Sequence, residues 1–437
     1  MSYFYRKNVH KPSTLKPSQR NLASDAALAQ NIISCLLDGY RGATAIRLWD
    51  NRVVNDGPHT RCDLVFRQPG VLRELLLKRD LVRLAEAYLS GAIDIEGELE
   101  SLFELGPWLQ NLQLPLRKKL QILISALRLP SGVESAAARQ RRASRSAQHN
   151  SRASISHHYD VSNDFYKLWL DPQMIYSCAY FKNEQQSLAD AQCDKLDHIC
   201  RKLRLQSGQQ LLDIGCGWGA LICWAAKHYG VHSHGITLSQ QQYDYAQQRI
   251  LDQGLQDRVT IELRDYRDMP TDVQYDRIVS VGMFEHVGVK NFPLYFGIVK
   301  SLLKAGGLFL NHGITNDSGW QKTDLTRFIN NYVFPDGELT RISEVSLAME
   351  QAGFEVLDVE SLRRHYAMTL RHWVKALEQN REAAITESSD ATYRLWRLYM
   401  AGSAYFFEQG SINVYQLLAG HVHQSLAIPL RRDDIYH

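Results

Sequence analysis

The sequence lacks the long apolar runs that cross membranes. None of its 437 residues falls in an uncharged apolar stretch of about 18 or more positions. The charged start, residues 1–16, is followed by no apolar segment, so we expect no secretory signal there.

Cysteine is scarce and scattered. The seven cysteines form no Cys-x-x-Cys pair and their number is odd; they stand at positions 35, 62, 178, 193, 200, 216 and 223. This pattern argues against a disulfide framework and against a zinc site, and we expect no metal. A reducing cytoplasm is the expected location.

Net charge is small, and +3 does not identify a partner.

The length suits two domains. The first is predicted as a small α+β domain over residues 1–128, with a polar start to about residue 25 and a globular pattern from Asn31. Strands are predicted at 45–49 and 62–66, and apolar residues at helical spacing follow from Val71 to Leu89.

A basic segment separates the two predicted domains. Residues 129–156 are rich in Ser, Ala, Gln and Arg and are predicted as a flexible linker. Residues 117–152 hold nine bases against one acid, Glu134. The strip is either a solvated tether or a surface drawn to anionic lipid, and the preceding segment 120–129 either lies in a membrane interface or packs on the first domain.

The second domain, residues 157–437, alternates strands and helices, which predicts a parallel α/β sheet with crossovers. Strands are predicted at 209–214, 231–237, 258–263, 275–281, 307–313 and 354–360. Helices are predicted at 219–229, 239–253, 291–304 and 341–352. The tail, residues 367–426, is predicted to be largely helical.

A glycine-rich turn follows the first of these strands. Gly215, Gly217 and Gly219 form G-x-G-x-G after Asp213, which differs from the dinucleotide pattern G-x-G-x-x-G. The turn lets a ligand approach bare backbone, and Asp213 suits the cationic amino-acid end of a methyltransferase cofactor.

The next two strands supply further candidate contacts. No acid follows the second strand, so Thr237, Leu238 and Gln242 are expected to offer hydroxyl, backbone and amide groups instead. After the third strand, Asp265 and Tyr266 are expected near an adenine. Read without context, Asp265 could be a turn residue and Tyr266 a packing residue.

Several motifs together resemble the cyclopropane fatty acid synthase and mycolic acid synthase family. They occur in the family's order over residues 157–410: His158-Tyr-Asp160, Met174-Ile-Tyr-Ser-Cys-Ala-Tyr180, Leu212 to Gly219, Gly235-Ile-Thr-Leu-Ser-Gln240, Met283-Phe-Glu-His-Val-Gly288, Phe334-Pro335 and His365-Tyr366. The first domain resembles the extra domain of longer bacterial synthases only loosely, through residues 85–91 and 94–97.

The resemblance implies a class I S-adenosylmethionine (SAM)-dependent methyltransferase fold, Rossmann-like, with helical additions. It implies that the cis double bond of a phospholipid acyl chain takes the sulfonium methyl, and that a bound bicarbonate ion removes a proton as a cyclopropane forms. Carried over by motif, the bicarbonate site falls on Cys178, Glu285, His312, Ile314 and Tyr366, and further SAM contacts fall on Tyr176, Ser177, Cys216 and Arg267. Aromatic faces suit a cationic intermediate, with Tyr332, Phe334, Tyr405 and Phe406 among the candidates.

Two further positions, 286 and 403, could be mistaken for catalytic residues. His286 is a weaker candidate than Glu285, because neighbouring residues at a strand end point in opposite directions. Some family members carry a cysteine where this chain has Ser403, so no thiol nucleophile is expected there.

Alternative functions remain open from sequence alone. The enzyme could instead produce a methyl-branched or methylene lipid. It could also be a methyltransferase that acts on RNA or a small metabolite, or a lipid-binding protein without catalytic activity.

The expected partner is the phospholipid bilayer, contacted peripherally at the inner face of the membrane, with no nucleic acid. A homodimer is expected only because two-fold dimers are the commonest oligomers.

Overall fold

The computed structural model describes residues 19–78, 80–131, 161–319, 321, 323–334, 337–425 and 428–436. Most of the predicted linker, the motif at 158–160 and Pro335 lie outside these ranges. The chain divides into two compact units, Met1–Ser135 and Ala136–His437. No helix within the described ranges is both long enough and apolar enough to span a bilayer.

The first unit is a small sheet with helices, in the order β2-β1-β3-β4. Its strands are β1 Thr44–Arg47, β2 Val53–Val54, β3 Cys62–Phe66 and β4 Ile93–Gly97. Its helices are α1 Gln19–Leu36, α2 Pro69–Lys78, α3 Leu81–Leu89, α4 Leu105–Asn111 and α5 Leu116–Arg128. In β3 the side chains of Cys62, Leu64 and Phe66 are buried and the two between them are not, as the alternating sequence predicts.

The start of this unit was predicted too late in the chain. Helix α1 begins at Gln19, whereas the globular pattern was expected from Asn31. Ala26, Ala29, Ile33 and Leu37 are all buried at spacings of three and four residues. The small side chains at 26 and 29 bury the helix face without giving a strong hydrophobic signal.

The second unit holds a seven-stranded sheet in the order β10-β11-β9-β8-β5-β6-β7. Its strands are β5 Gln210–Ile214, β6 His232–Thr237, β7 Val259–Leu263, β8 Tyr275–Val281, β9 Leu303–Asn316, β10 Phe354–Ser361 and β11 Ile412–His421. The six predicted strands are all present, although β9 extends beyond its predicted bounds at both ends.

The helices of this unit pack against the sheet and extend the chain beyond it. They are α6 Asn163–Lys167, α7 Leu188–Lys202, α8 Ala220–Tyr229, α9 Gln240–Asp252, α10 Phe292–Leu302, α11 Asp324–Tyr332, α12 Ile342–Gln351, α13 Arg363–Gln379, α14 Arg381–Glu387, α15 Asp390–Gln409 and α16 Asp433–Tyr436. The four predicted helices match α8, α9, α10 and α12 to within two residues.

Strand β11 was missed, since the tail to residue 426 was expected to be largely helical. The helical prediction holds through α15, which ends at Gly410 in a left-handed conformation with φ 81°. The chain then inserts antiparallel between β9 and β10. Residues 416–420 are all buried, and a strand covered on both faces shows no alternation that would distinguish it from a helix.

Candidate active site

The glycine-rich turn connects β5 to α8 at the centre of the sheet. Gly215 and Gly217 have φ values of 86° and 54°, in the region that favours glycine. A Cβ on Gly215 would lie 2.9 Å from the Met283 side chain, whereas a Cβ on Gly217 would meet nothing within 4 Å. The turn at Gly217 therefore faces open space.

That space belongs to a single cavity that brings together most of the predicted cofactor residues. Twelve of the thirteen line it: Tyr176, Ser177, Asp213, Gly215, Cys216, Gly217, Thr237, Leu238, Gln242, Asp265, Tyr266 and Arg267. Gly219 does not; a Cβ there would lie 2.9 Å from the Ala246 Cβ, so this glycine lets α8 pack closely on α9.

Asp213 points a free carboxylate oxygen into buried surroundings. Its side chain is 3% exposed, and Oδ1 has no hydrogen-bond partner. Burial raises the pKa of Asp213 to about 7, and the positive charge of Lys195 opposes that rise. A buried acceptor of this kind would bind a cationic ammonium group well.

Helix α7 provides two residues that the sequence reading did not identify. Lys195 lines the cavity and its Nζ donates to Ser177 Oγ at 2.8 Å. Gln192, fully buried, donates through Nε2 to the Ser177 carbonyl at 3.0 Å. The two side chains hold the segment that carries Tyr176 and Ser177 in place. They were overlooked because α7 lies before the glycine-rich strand and outside every motif considered.

The end of β6 carries the hydroxyl and amide groups that the sequence predicts in place of a carboxylate. Thr237 Oγ1 donates to Gln242 Oε1 at 2.8 Å, which leaves the amide nitrogen of Gln242 available as a donor. Ser239 accepts from the backbone N–H of Gln242 and begins helix α9. The cavity thus has a hydroxyl and an amide where a carboxylate often stands.

At the end of β7, Asp265 forms a two-point ion pair. Arg267 donates through Nε and Nη2 to the two carboxylate oxygens at 2.9 and 2.6 Å, and the Asp265 side chain is nearly fully buried. Tyr266 packs edge-on against Tyr295 with ring centroids 5.3 Å apart. These contacts fix the wall of the cavity at this strand end.

The five residues of the predicted bicarbonate site lie outside the lining of this cavity, and two of them, His312 and Ile314, stand on β9. Glu285 Oε1 accepts a hydrogen bond from the backbone N–H of Ile314 at 2.6 Å. Its other oxygen, Oε2, is buried and has no protein partner. Burial raises the pKa of Glu285 to about 7. The carboxyl group can therefore exist with or without its proton at neutral pH.

His312 stands two residues before Ile314 on β9, so the two side chains point to the same face of the sheet. Its Nδ1 lies 3.2 Å from the Nε2 of Gln416, on the neighbouring strand β11, while its own Nε2 is buried without a protein partner. Burial lowers the pKa of His312 to about 3, so the ring is neutral. Gln416 was not predicted, because strand β11 was not.

Cys178 and Tyr366 pack in the same hydrophobic cluster, against which Ile314 also rests. The Cys178 thiol is fully buried and donates to the Leu362 carbonyl at 3.7 Å. Burial raises the pKa of this thiol far above its usual range. The group is therefore a neutral thiol, which is consistent with positioning rather than nucleophilic attack.

His286 does not stand at a strand end, although the sequence suggested that it does. Glu285 and His286 lie in a 3-10 helix, Phe284–His286, and not at a strand end, so strand alternation does not apply. His286 lines the cofactor cavity, and burial lowers its pKa to about 4. Its ring lies 5.3 Å from that of Phe334, one of the predicted aromatics, which in turn packs edge-on against Tyr399.

The other predicted aromatic residues, Tyr332, Tyr405 and Phe406, are not among the residues that line the cavity. Tyr332 packs on Phe328 and Tyr405 on Phe406. Two further rings line the cavity: Trp218, which belongs to a cluster of buried aromatics, and Tyr176, a predicted SAM contact that packs against the same cluster. No group of His, Cys, Asp and Glu that could hold a metal ion occurs in the described ranges.

Comparison with known proteins identifies the family. Residues 146–417 match the family described as mycolic acid cyclopropane synthetase. The chain belongs to this family. Residues 35–107, in the first unit, match a domain of unknown function, DUF7884.

Three similar proteins illustrate the range of the mycolic acid cyclopropane synthetase family and its relatives. A "Probable fatty acid methyltransferase" of Pseudomonas putida is 40% identical over 400 residues, which are 90% of this chain and 95% of that protein. The "Cyclopropane-fatty-acyl-phospholipid synthase" of Escherichia coli K12 is 36% identical over 362 residues, 82% of this chain and 87% of that protein. The crystal structure of mycolic acid cyclopropane synthase CmaA1 with SAH and CTAB has a TM-score of 0.59 at 37% identity, covering 62% of this chain and 99% of that one.

Membership in the mycolic acid cyclopropane synthetase family confirms the predicted α/β methyltransferase fold and the predicted enzyme class: the chain is a SAM-dependent methyltransferase. The cavity fits SAM. The open backbone face at Gly217 admits a ligand, and the free Oδ1 of buried Asp213 would accept from its ammonium group.

Proposed function

We propose that the enzyme converts cis double bonds in the acyl chains of bilayer phospholipids into cyclopropane rings. The observation that carries this proposal is the pair of buried polar atoms without protein partners, Glu285 Oε2 and His312 Nε2, on residues held around β9. Buried polar groups are normally satisfied, so such a pair favours a small bound polar group.

The hydrogen-bonding chemistry of these two atoms supports a bicarbonate ion as that group. Nδ1 of His312 faces the Gln416 amide nitrogen, a donor, which favours the tautomer whose proton is on Nε2, ready to donate to an oxyanion. Glu285, with its pKa near 7, can accept from a hydroxyl or share a proton with the ion. The chemistry that bicarbonate would supply is that of a general base.

The protein's own groups would align the reactants and exclude water. SAM supplies the methyl group, and an alkene needs no deprotonation before it attacks, so no activated nucleophile is required. The acyl chain gains the methyl and a positive charge; loss of one proton from the new methyl then closes the ring. The aromatic rings that line the cavity, Tyr176 and Trp218, suit a passing cation, and exclusion of water from the closed site would prevent its capture.

A second product has a specific observation in its favour. The similar proteins include two named as probable fatty acid methyltransferases, of Pseudomonas putida and Mycobacterium tuberculosis. An enzyme of that kind would leave a branched methyl or a methylene group rather than a ring. The unpartnered atoms of Glu285 and His312 favour ring closure over a saturated methyl branch, because ring closure needs a base for the proton of the new methyl, whereas the branch needs a hydride donor. A methylene group would also form by loss of that proton, so only analysis of the product separates it from the ring.

The test is to incubate the purified protein with methyl-labelled SAM and vesicles of cis-unsaturated phospholipid and to analyse the fatty acids by mass spectrometry. Cyclopropanation predicts acyl chains heavier by one CH₂ that resist alkene-cleaving reagents. Label in a branched methyl or a methylene group would establish the second product. Unlabelled lipid from a protein that still binds SAM would refute both proposals and favour an RNA or metabolite substrate.

A further inference from the structure

Helix α5 in the first unit presents an apolar stripe to solvent. Five large side chains of this 13-residue helix are exposed by between 43% and 83%: Leu116, Leu120, Leu123, Ile124 and Leu127. A helix on the surface of a globular domain normally turns such residues inward and its charges outward. Here the arrangement is reversed.

The geometry of the helix shows how complete the reversal is. At 100° per residue, Leu116, Leu120, Leu123, Ile124 and Leu127 fall within one sector about 100° wide. The face turned toward the unit carries Ile122, Ser125 and Ala126, and of the helix residues only Ala126 is fully buried. The helix is anchored at its end, where Leu129 is buried and its carbonyl accepts from Arg73 Nη1 at 2.7 Å.

The charges around the stripe are all positive. Helix α5 contains Arg117, Lys118, Lys119 and Arg128 and no acid. Lys118 lies on the inward side and pairs with Asp38 at 3.5 Å. Arg117 and Arg128 border one edge of the stripe and Lys119 borders the other, and among the residues that the structure describes none of these three forms an ion pair.

We propose that helix α5 is a membrane-docking helix that lies in the plane of a bilayer surface containing anionic phospholipid. Charge complementarity selects this occupant: apolar side chains between two basic edges match acyl chains beneath a layer of negative head groups. A second copy of the same helix would instead bring equal positive charges together at the edges of the contact. The proposal rests on the proposed function only for its biological purpose, since a lipid-modifying enzyme must reach its substrate.

The experiment compares the full chain with a variant carrying Leu120→Gln, Leu123→Gln and Leu127→Gln. All three positions are exposed and glutamine is a good helix former, so the fold should persist. Binding to vesicles of phosphatidylcholine with one quarter phosphatidylglycerol is measured by flotation, without SAM. We expect binding about 100-fold weaker in the variant, because three apolar side chains no longer enter the interface.

A matched control replaces three leucines of similar or greater exposure in the second unit: Leu251→Gln, Leu347→Gln and Leu430→Gln. This control should bind vesicles like the parent. A third variant, Arg117→Gln with Lys119→Gln and Arg128→Gln, should lose about fivefold in affinity for each base, and only on vesicles that contain anionic lipid.

The outcomes separate the alternatives. Unchanged vesicle binding in the leucine variant would overturn the proposal, and so would a fall from dimer to monomer in sedimentation with vesicle binding intact, because a second copy would then cover the stripe. Weaker vesicle binding with normal methylation of phospholipid dispersed in detergent would support docking as a separate step. A parent protein that binds vesicles through α5 but modifies no lipid would refute the proposed function and leave the docking helix in place.

Discussion

The carboxylate of Glu285 accepts a hydrogen bond from the backbone N–H of Ile314 at 2.6 Å, which ties the 3-10 turn beside the cofactor cavity to strand β9. One oxygen thus has a structural partner and the other has none. The role of the free oxygen can therefore be tested with glutamine, because its amide can keep the hydrogen bond from Ile314 while the unpartnered carboxylate oxygen is replaced.

Glu285→Gln should leave SAM affinity within about twofold of the parent and lower turnover by about 100-fold or more, since general-base sites typically contribute that much. The amide oxygen can still accept from Ile314, but the amide nitrogen cannot accept from a bound anion's hydroxyl. Calorimetric titration gives the affinity and labelled lipid gives the turnover. Glu382→Gln, at an exposed carboxylate, is the control. A large loss of SAM affinity in Glu285→Gln would contradict the separation of the two sites.

Substitutions of two glycines should have different effects. Gly217→Leu fills the open side of the turn, so SAM binding should become undetectable while the free energy of unfolding falls by only about 1–2 kcal/mol, the cost of a left-handed backbone. Gly219→Leu meets the Ala246 Cβ, so it should cost about 3 kcal/mol or more through added overpacking. Urea unfolding and calorimetry measure the two effects. Equal destabilisation by both would refute the assignment of Gly217 to the ligand face.

SAM affinity should rise with pH up to and just above 7. Burial raises the pKa of Asp213 to about 7, so below that pH the free side chain carries a proton that an incoming ammonium group must displace. Binding measured at pH 6 in two buffers of different ionisation enthalpy should therefore report proton release. Asp213→Asn should bind SAM more weakly, and the part of the pH dependence that comes from this residue should vanish. An unaltered pH profile in the variant would assign the proton to another group.

A buried charge cluster at Glu360 should control acid stability. Lys202 of α7, fully buried, pairs with Glu360 and lies 3.3 Å from Asp358, and His198 Nε2 lies 2.8 Å from the Glu360 carboxylate. These partners lower the pKa of Glu360 to about 2, so its contribution to stability is present above about pH 4.5 and is lost as pH falls toward 2.

Glu360→Gln should therefore lower the free energy of unfolding by about 3 kcal/mol at pH 7, because Lys202 stays buried with less compensation. Urea unfolding between pH 3 and 7 should also show a shallower loss of stability on acidification in the variant. Glu355→Gln, at an exposed residue of the same strand, should do neither. If the two variants unfold alike, the cluster does not stabilise the fold.

Twelve residues predicted from the sequence line one cavity, because they sit in local sequence signals. Strand β5, the glycine-rich turn and the beginning of helix α8 lie within a dozen positions of one another. The ends of the neighbouring parallel strands must meet at one edge of the sheet. Lys195 could not be found in this way: its contact with Ser177 is made across the fold from the middle of a helix whose pattern only shows which face is buried.

The prediction of a bicarbonate site depended on resemblance instead. Nothing local in the sequence brings Cys178 and Tyr366 into one cluster with Ile314, and Gln416 reaches His312 only through a strand pairing 104 residues apart along the chain. The register that sets Gln416 opposite His312 belongs to β11, whose uniformly buried residues hid it from periodicity. Contacts between residues so far apart along the chain form only in the folded domain, and no short segment of the sequence predicts them.

The insertion of β11 between β9 and β10 has a consequence for synthesis of the protein. Until residues 412–421 have left the ribosome, β9 is a long apolar edge strand with open hydrogen-bonding groups, and His312 has no Gln416 beside it. The nascent chain therefore passes through a stage in which most of the domain has been synthesised but β9, third in the order of the seven-stranded sheet, is exposed to aggregation. A chain truncated shortly before residue 412 would lack β11 permanently, so this last strand both places Gln416 beside His312 and covers the edge of β9.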